Sequence, residues 1–134
     1  MKLSIIIPCF NEKKTIADIL RQIDETDLGL AEKEIIVVDD GSTNFSRQVL
    51  ENLKKKYKFI LLSHKMNLGK GAALKTGCQA ALKLGTDVIV AIDADGQHSP
   101  SDIPKLVEKL QKEKLDIIFG VREVNKKMPF LFRL

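Results

Sequence analysis

The chain has 134 residues, of which 44% are hydrophobic and 30% charged, with a formal net charge of +4. That length suits one domain with a sizeable core, and the balance excludes a disordered or fibrous chain. No apolar stretch approaches the ~20 residues that span a bilayer as a helix, and Cys9 and Cys78 show neither metal-ligand spacing nor a disulfide framework.

Met1-Lys2 leads directly into a strand-like run, so no signal peptide is expected, and a soluble, cytoplasmic chain is. The lysines of Lys54 to Lys56, Lys112 to Lys114 and Lys126-Lys127 read as solvated helix faces or ends. Attraction to phosphate groups or an anionic membrane surface is the sharper alternative; no nucleic-acid partner is implied. Cys9 interrupts an apolar run and reads as buried and inert.

Leu3 to Ile7 is a β-branched run closed by Pro8, which predicts a strand. From Lys13 to Glu25 the positions Ile16, Ile19, Leu20 and Ile23 fall at helical spacing. Glu34 to Val38 predicts a second strand, closed by Asp39-Asp40-Gly41-Ser42. Phe45 to Lys56 predicts a helix with Val49, Leu50 and Leu53 on one face, and Phe59 to Leu62 a third strand. Asn67-Leu68-Gly69-Lys70-Gly71 then precedes a helix from Ala72 to Leu84, and Asp87 to Ile92 predicts a fourth strand. Ser99-Pro100-Ser101-Asp102 supplies an N-cap, a proline and a first-turn acid for a helix to Glu113. Asp116 to Phe119 predicts a fifth strand.

Strands that are apolar throughout, alternating with single helices, predict an α/β fold with a mostly parallel sheet covered on both faces. Ligands of such sheets bind at the carboxyl ends of the strands. Four loops converge there: Pro8 to Glu12, Asp39 to Ser42, Ser63 to Gly71 and Asp93 to His98. Acids or amides mark the first, second and fourth; Lys65 and Lys70 mark the third, and Arg122 follows the fifth strand.

Asp93 and Asp95 stand two residues apart at the end of an apolar run. With Gly96 freeing the backbone, both carboxylates can turn to one point. Mg²⁺ or Mn²⁺ prefers such oxygen ligands, one or two carboxylates plus substrate phosphates, and Gln97 can add an amide oxygen. A solvated turn with an aspartate cap is the alternative. Asp39-Asp40 is open to turn chemistry or to hydrogen bonding with a nucleotide, Asp40 more than Asp39. Asn11-Glu12 is open to helix capping or to ligand contact. Gly69-Lys70-Gly71 ahead of a helix suits an anion cradle, although it is no Walker A motif, and no Gly-x-Gly-x-x-Gly follows the first strand. His64 and His98 are too distant in sequence to read as a pair, and no nucleophile–base set is evident.

Four motifs carry a resemblance: Ile-Ile-Pro-x-Phe-Asn-Glu, Val-Val-Asp-Asp-Gly-Ser, Asn-x-Gly-Lys-Gly-Ala-Ala and Asp-Ala-Asp-Gly-Gln-His. In this order and spacing the chain resembles the inverting nucleotide-sugar glycosyltransferases of the GT-A fold. Within them it is most similar to the dolichol-phosphate mannose synthase group and its polyprenyl-phosphate relatives. The resemblance implies a Rossmann-like three-layer sandwich and transfer of a hexose from a GDP- or UDP-sugar, with a lipid phosphate as acceptor. It further implies that Pro8, Phe10 and Glu12 line the nucleoside pocket and that Val38 and Asp40 hold the base. Asp93, Ala94, Asp95 and Gln97 would place a divalent metal and the diphosphate, Asp93, Asp95 and Gln97 as metal ligands. Arg122 would reach a phosphate, and Lys70 is a further candidate. Family members continue beyond the end reached here, so residues 1–134 would be the donor-binding N-terminal part. The acceptor side, and attachment to the cytoplasmic face of a membrane, would then lie mainly in the remainder, with Lys126-Lys127 and Phe130 to Phe132 as local support.

Two other readings stand beside this one. Asp-x-Asp-Gly after a strand also opens haloacid-dehalogenase-type phosphatases, with Asp93 as nucleophile; there the motif sits on the first strand, and a threonine is typical where Gln97 stands. A non-catalytic nucleotide-binding or receiver-like module is the second.

Overall fold

The computed structural model of the protein describes residues 1–29, 32–43 and 45–121. Its elements run in chain order as β1 (Lys2–Cys9), α1 (Ile16–Glu25), β2 (Glu32–Asp39), α2 (Ser46–Leu53), β3 (Ile60–Ser63), α3 (Lys70–Lys83), β4 (Val88–Ala91), a 3₁₀ turn (Pro100–Asp102) and α4 (Ile103–Lys112). The chain divides into a larger compact unit, Met1–Pro104, which holds the four strands of the described residues, and a smaller one from Lys105.

The sheet order is β3-β2-β1-β4, and every pairing is parallel. β1 is therefore interior, and Leu3, Ile5, Ile6 and Ile7 are fully buried, as an apolar run flanked on both sides should be. From β1 the chain steps outward to β2 and then β3, then returns across the sheet to β4. Right-handed crossovers place the connections of the outward steps on one face and that of the return step on the other. α1 and α2 thus form one layer and α3 the opposite one, the three-layer α/β sandwich expected from the alternation.

Gly77 sets the closeness of the α3 layer. A Cβ on it would lie 2.4 Å from Ile6 Cγ2, so the helix rests almost backbone-to-side-chain on β1. Gly77→Ala is expected to destabilise the protein. Overpacking costs about 1–3 kcal/mol, and better helix propensity returns about 1, for a net loss of up to about 2 kcal/mol. Urea unfolding measures it; a more stable variant would contradict the close approach.

Two expectations are corrected. β1 does not stop at Pro8 but runs through it to Cys9. Ile6 O accepts the Ile92 N–H while Cys9 O accepts the Asp40 N–H, so even positions of β1 face β4 and odd ones face β2. β4 is paired only as far as Ile6, so the missing N–H of Pro8 points where no partner strand runs. The second correction concerns Asp116 to Phe119. It is not a strand: Ile117, Phe119 and Val121 are 65, 75 and 86% exposed. Its β-branched and aromatic pattern favours extension, but a strand exists only where a neighbouring backbone takes its hydrogen bonds.

Candidate active site

The strand order reverses between β2, reached first from β1, and β4 on its other side. In an open parallel sheet the loops leaving the carboxyl ends at such a reversal diverge and leave a crevice. A cavity of about 320 Å³ opens there, lined by Pro8, Phe10 and Glu12 after β1, by Asp93, Ala94 and Asp95 after β4, and by Asp40 after β2. Cys9, Asn67, Lys70 and Ala73 complete its wall.

The four rim loops are clipped to one another in a closed ring. The Asn11 N–H donates to Ser42 Oγ (3.1 Å), and Asn11 Oδ1 accepts the Thr43 N–H (2.9 Å), joining the first loop to the second. Asp40 joins the second to the third: Leu68 N–H (2.9 Å) and Gly69 N–H (2.8 Å) both donate to its carboxylate. Lys70 Nζ lies 2.5 Å from Asp93 Oδ1 and joins the third to the fourth. Thr15 Oγ1, at the start of α1, donates to the Ala94 carbonyl and closes the ring. Gly41 allows the second loop to pass close to the third. Its φ is +72°, and a Cβ there would stand 2.4 Å from the Met66 carbonyl carbon.

Asp40 is buried at 3% exposure and carries the densest bonding on the rim. His64 Nδ1 lies 2.6 Å from Asp40 Oδ1, and its Nε2 lies 2.9 Å from Thr76 Oγ1 on α3. Burial pushes the Asp40 carboxyl upward, but hydrogen bonds from Leu68, His64 and Gly69 outweigh it and hold the group below the usual carboxylate range. Two backbone N–H groups immediately before α3 are therefore spent on an anion of the chain itself, where the sequence suggested a cradle for a bound one. Asp39, also buried, accepts the Ser42 N–H at 3.2 Å, the turn role open to it.

On the fourth loop, Asp95 Oδ1 accepts the Gln97 N–H (2.9 Å), a short turn that fixes the carboxylate at the rim. The Asp93 N–H donates to His98 Nδ1 (3.1 Å). That bond uses the Nδ1 lone pair, so the 3.7 Å approach of Nδ1 to Asp93 Oδ2 is a near contact and not an ion pair. Glu12 faces the cavity, with Thr15 Oγ1 3.2 Å from its Oε2. Cys9 is almost fully buried. Burial, with the nearby Asp39 and Glu12 charges, pushes its thiol up to about 12. It is no nucleophile near neutral pH, in keeping with the inert reading.

Of the residues singled out from sequence, Pro8, Phe10, Glu12, Asp40, Asp93, Ala94 and Asp95 share the cavity. Val38 is fully buried with Ile36, Ala73 and Ala81 and is not among the residues that line the cavity. Gln97 is exposed and off the cavity lining; its backbone, and not its amide, contacts Asp95. Arg122 lies outside the described residues, as do Lys126, Lys127 and Phe130 to Phe132. Sequence reasoning missed His64 as a partner of Asp40 and His98 as a partner of Asp93. Their position in the loops that follow the third and fourth strands was the available signal.

The family model for glycosyl transferase family 2 matches residues 4–134 of the chain. The chain belongs to glycosyl transferase family 2. This family 2 chain is 37% identical over 125 residues to a dolichol-phosphate mannosyltransferase of Pyrococcus furiosus, covering 93% of itself and 34% of that protein. It is 32% identical over 136 residues to a UDP-N-acetylglucosamine–dolichyl-phosphate N-acetylglucosaminyltransferase of Methanococcus voltae, covering 92% of itself and 53% of the relative. A mannosyltransferase from Pyrobaculum calidifontis, solved in complex with GDP-Man and Mn²⁺, superposes with a TM-score of 0.68 at 27% identity over 81% of this chain and 32% of that one. The fold is accordingly GT-A, as the resemblance implied. The chain spans about half the length, or less, of the curated relatives it matches.

Proposed function

We propose that this family 2 domain binds a nucleoside diphosphate hexose in the β1/β4 crevice and serves its transfer, with inversion, to a polyprenyl-type phosphate. The observation that carries the reading is that Asp93 and Asp95 face the same cavity as the Pro8 to Glu12 loop, at the point where the strand order reverses. Its relatives that act on dolichyl phosphate support the acceptor class.

A divalent metal fits this donor set. The carboxylates of Asp93 and Asp95 are hard oxygen ligands, and Asp93 already has a cation against it. Among the described residues no three metal-ligating side chains stand together, so phosphate oxygens of the donor would complete the shell. When bound, Mg²⁺ or Mn²⁺ would supply Lewis-acid stabilisation of the departing nucleoside diphosphate. The chain's own part is to hold the carboxylates at the rim: the Gln97 turn fixes Asp95, and the His98 contact fixes the Asp93 backbone. Phe10, half-exposed in the cavity wall, offers an apolar face to the nucleoside. The anomeric carbon loses its bond to the diphosphate oxygen and gains one to the acceptor. A phosphate acceptor is already anionic, so no general base is needed.

No helix among the described residues is long and apolar enough to cross a membrane. A polyprenyl acceptor would bring the domain to a membrane surface.

Melting temperature, read against GDP- and UDP-hexoses with Mg²⁺, Mn²⁺ or chelator, tests the donor half. A ligand at a hundred times its Kd stabilises by about 2.7 kcal/mol. For a domain of this size that is a shift on the order of 5–10 °C. The shift should require metal. No shift with any nucleotide sugar under any condition would overturn the reading.

A further inference from the structure

Lys70 is the first residue of α3, and its ammonium sits on the carboxylate proposed to hold the metal, 2.5 Å from Asp93 Oδ1. Among the described residues it forms the only ion pair that Asp93 makes, because His98 Nδ1 accepts the Asp93 N–H. Its backbone position is built rather than incidental. The Leu68 and Gly69 N–H groups just before it are anchored on buried Asp40, and Gly69 O accepts the Ala73 N–H one turn on. The pair itself is loosely held: the Lys70 side chain is 60% exposed and that of Asp93 26%. An ion pair so open to water is weak, and a doubly charged ion competes with it successfully.

An ammonium 2.5 Å from Oδ1 repels a second cation brought to the same carboxylate. We propose that Lys70 is the resident counter-ion of Asp93, displaced when the metal arrives and passed to the diphosphate of the donor. The proposal rests on the donor-binding reading above. Lys70 thereby lowers the affinity of the free protein for metal alone. It raises the affinity for metal and nucleotide together, because the released ammonium remains in the same cavity, within reach of the anion that enters with the ion. Metal and donor become a thermodynamically coupled pair, each favouring the other by the same factor.

Titration calorimetry on the 134-residue chain tests this, with Mn²⁺ alone, GDP or UDP alone, and both. Lys70→Met keeps the stem and removes the charge. It should bind Mn²⁺ alone about 2- to 5-fold more tightly than the parent, and the nucleotide with Mn²⁺ about 10-fold more weakly. Lys70→Arg should restore the coupling. Lys75→Met removes a charge from the same helix away from Asp93 and should leave both affinities near the parent values. Unchanged or weaker Mn²⁺ binding by Lys70→Met, or the same gain in Lys75→Met, overturns the exchange. If the parent chain still binds Mn²⁺ and nucleotide jointly, the donor reading survives that result. If neither chain takes up Mn²⁺ with or without nucleotide, both fall together.

Discussion

Asp93→Asn is expected to lower Mn²⁺-dependent affinity for a nucleoside diphosphate sugar by about 100-fold or more, while leaving the melting temperature nearly unchanged. Outer-shell changes around metal sites already cost 10- to 100-fold, and removing a proposed ligand should exceed that. The fold should tolerate the change because the lost contact is the exposed Lys70 pair, worth about 0–1 kcal/mol, and the His98 contact uses the Asp93 backbone. Asp95→Asn makes a sharper companion. Its amide oxygen can still accept the Gln97 N–H, so the local turn survives and only the charge is lost. Calorimetry with and without Mn²⁺ checks both. Donor affinity that is indifferent to either substitution would remove these two residues from the metal role.

Asp40→Ala should act on the opposite quantity, stability. The carboxylate is buried and takes hydrogen bonds from Leu68 N–H, Gly69 N–H and the His64 ring. Deleting it strands those donors in a partly dry setting. Removing one member of a buried charged network typically costs about 3–5 kcal/mol, a fall of more than about 10 °C in melting temperature for a domain of this size. The pH dependence has a definite sign. Although burial raises it, the Asp40 carboxyl is held low in the folded protein by the Leu68, His64 and Gly69 hydrogen bonds. A carboxyl depressed on folding contributes fully above its unfolded value near about 4 and loses that contribution as the pH falls below it. Urea unfolding at pH 7 and near pH 3 should show a stability loss in the parent chain that Asp40→Asn lacks. Parent and variant curves that fall in parallel would show that this carboxylate does not carry the acid sensitivity. Because Asp40 fixes the loop that bears Lys70, its loss should also weaken donor binding in whatever fraction remains folded.

The local layers of this protein are written in short stretches of its chain. Ile5, Ile6 and Ile7, or Ile36, Val37 and Val38, are apolar on both faces because their strands are covered on both faces, and Ile16, Ile19, Leu20 and Ile23 repeat as one buried helix stripe. Those patterns depend on neighbours a few positions away, so strands, helices, parallel order and the polar rim could be read directly. The resemblance to the GT-A glycosyltransferases was legible for a related reason: its motifs are the loops that end those strands. Which loop meets which was not legible. Lys70 meets Asp93, and Asp40 meets Leu68, Gly69 and His64, only because β4 lies beside β1 and β3 beside β2, a strand order that no local pattern encodes. The same limit explains Asp116 to Phe119, whose side chains favour a strand although no partner backbone pairs with it among the described residues, and Val38, which lies near the end of β2 yet packs into the core. Propensity is a property of a segment, whereas a site is set by which chain ends the packed sheet brings side by side.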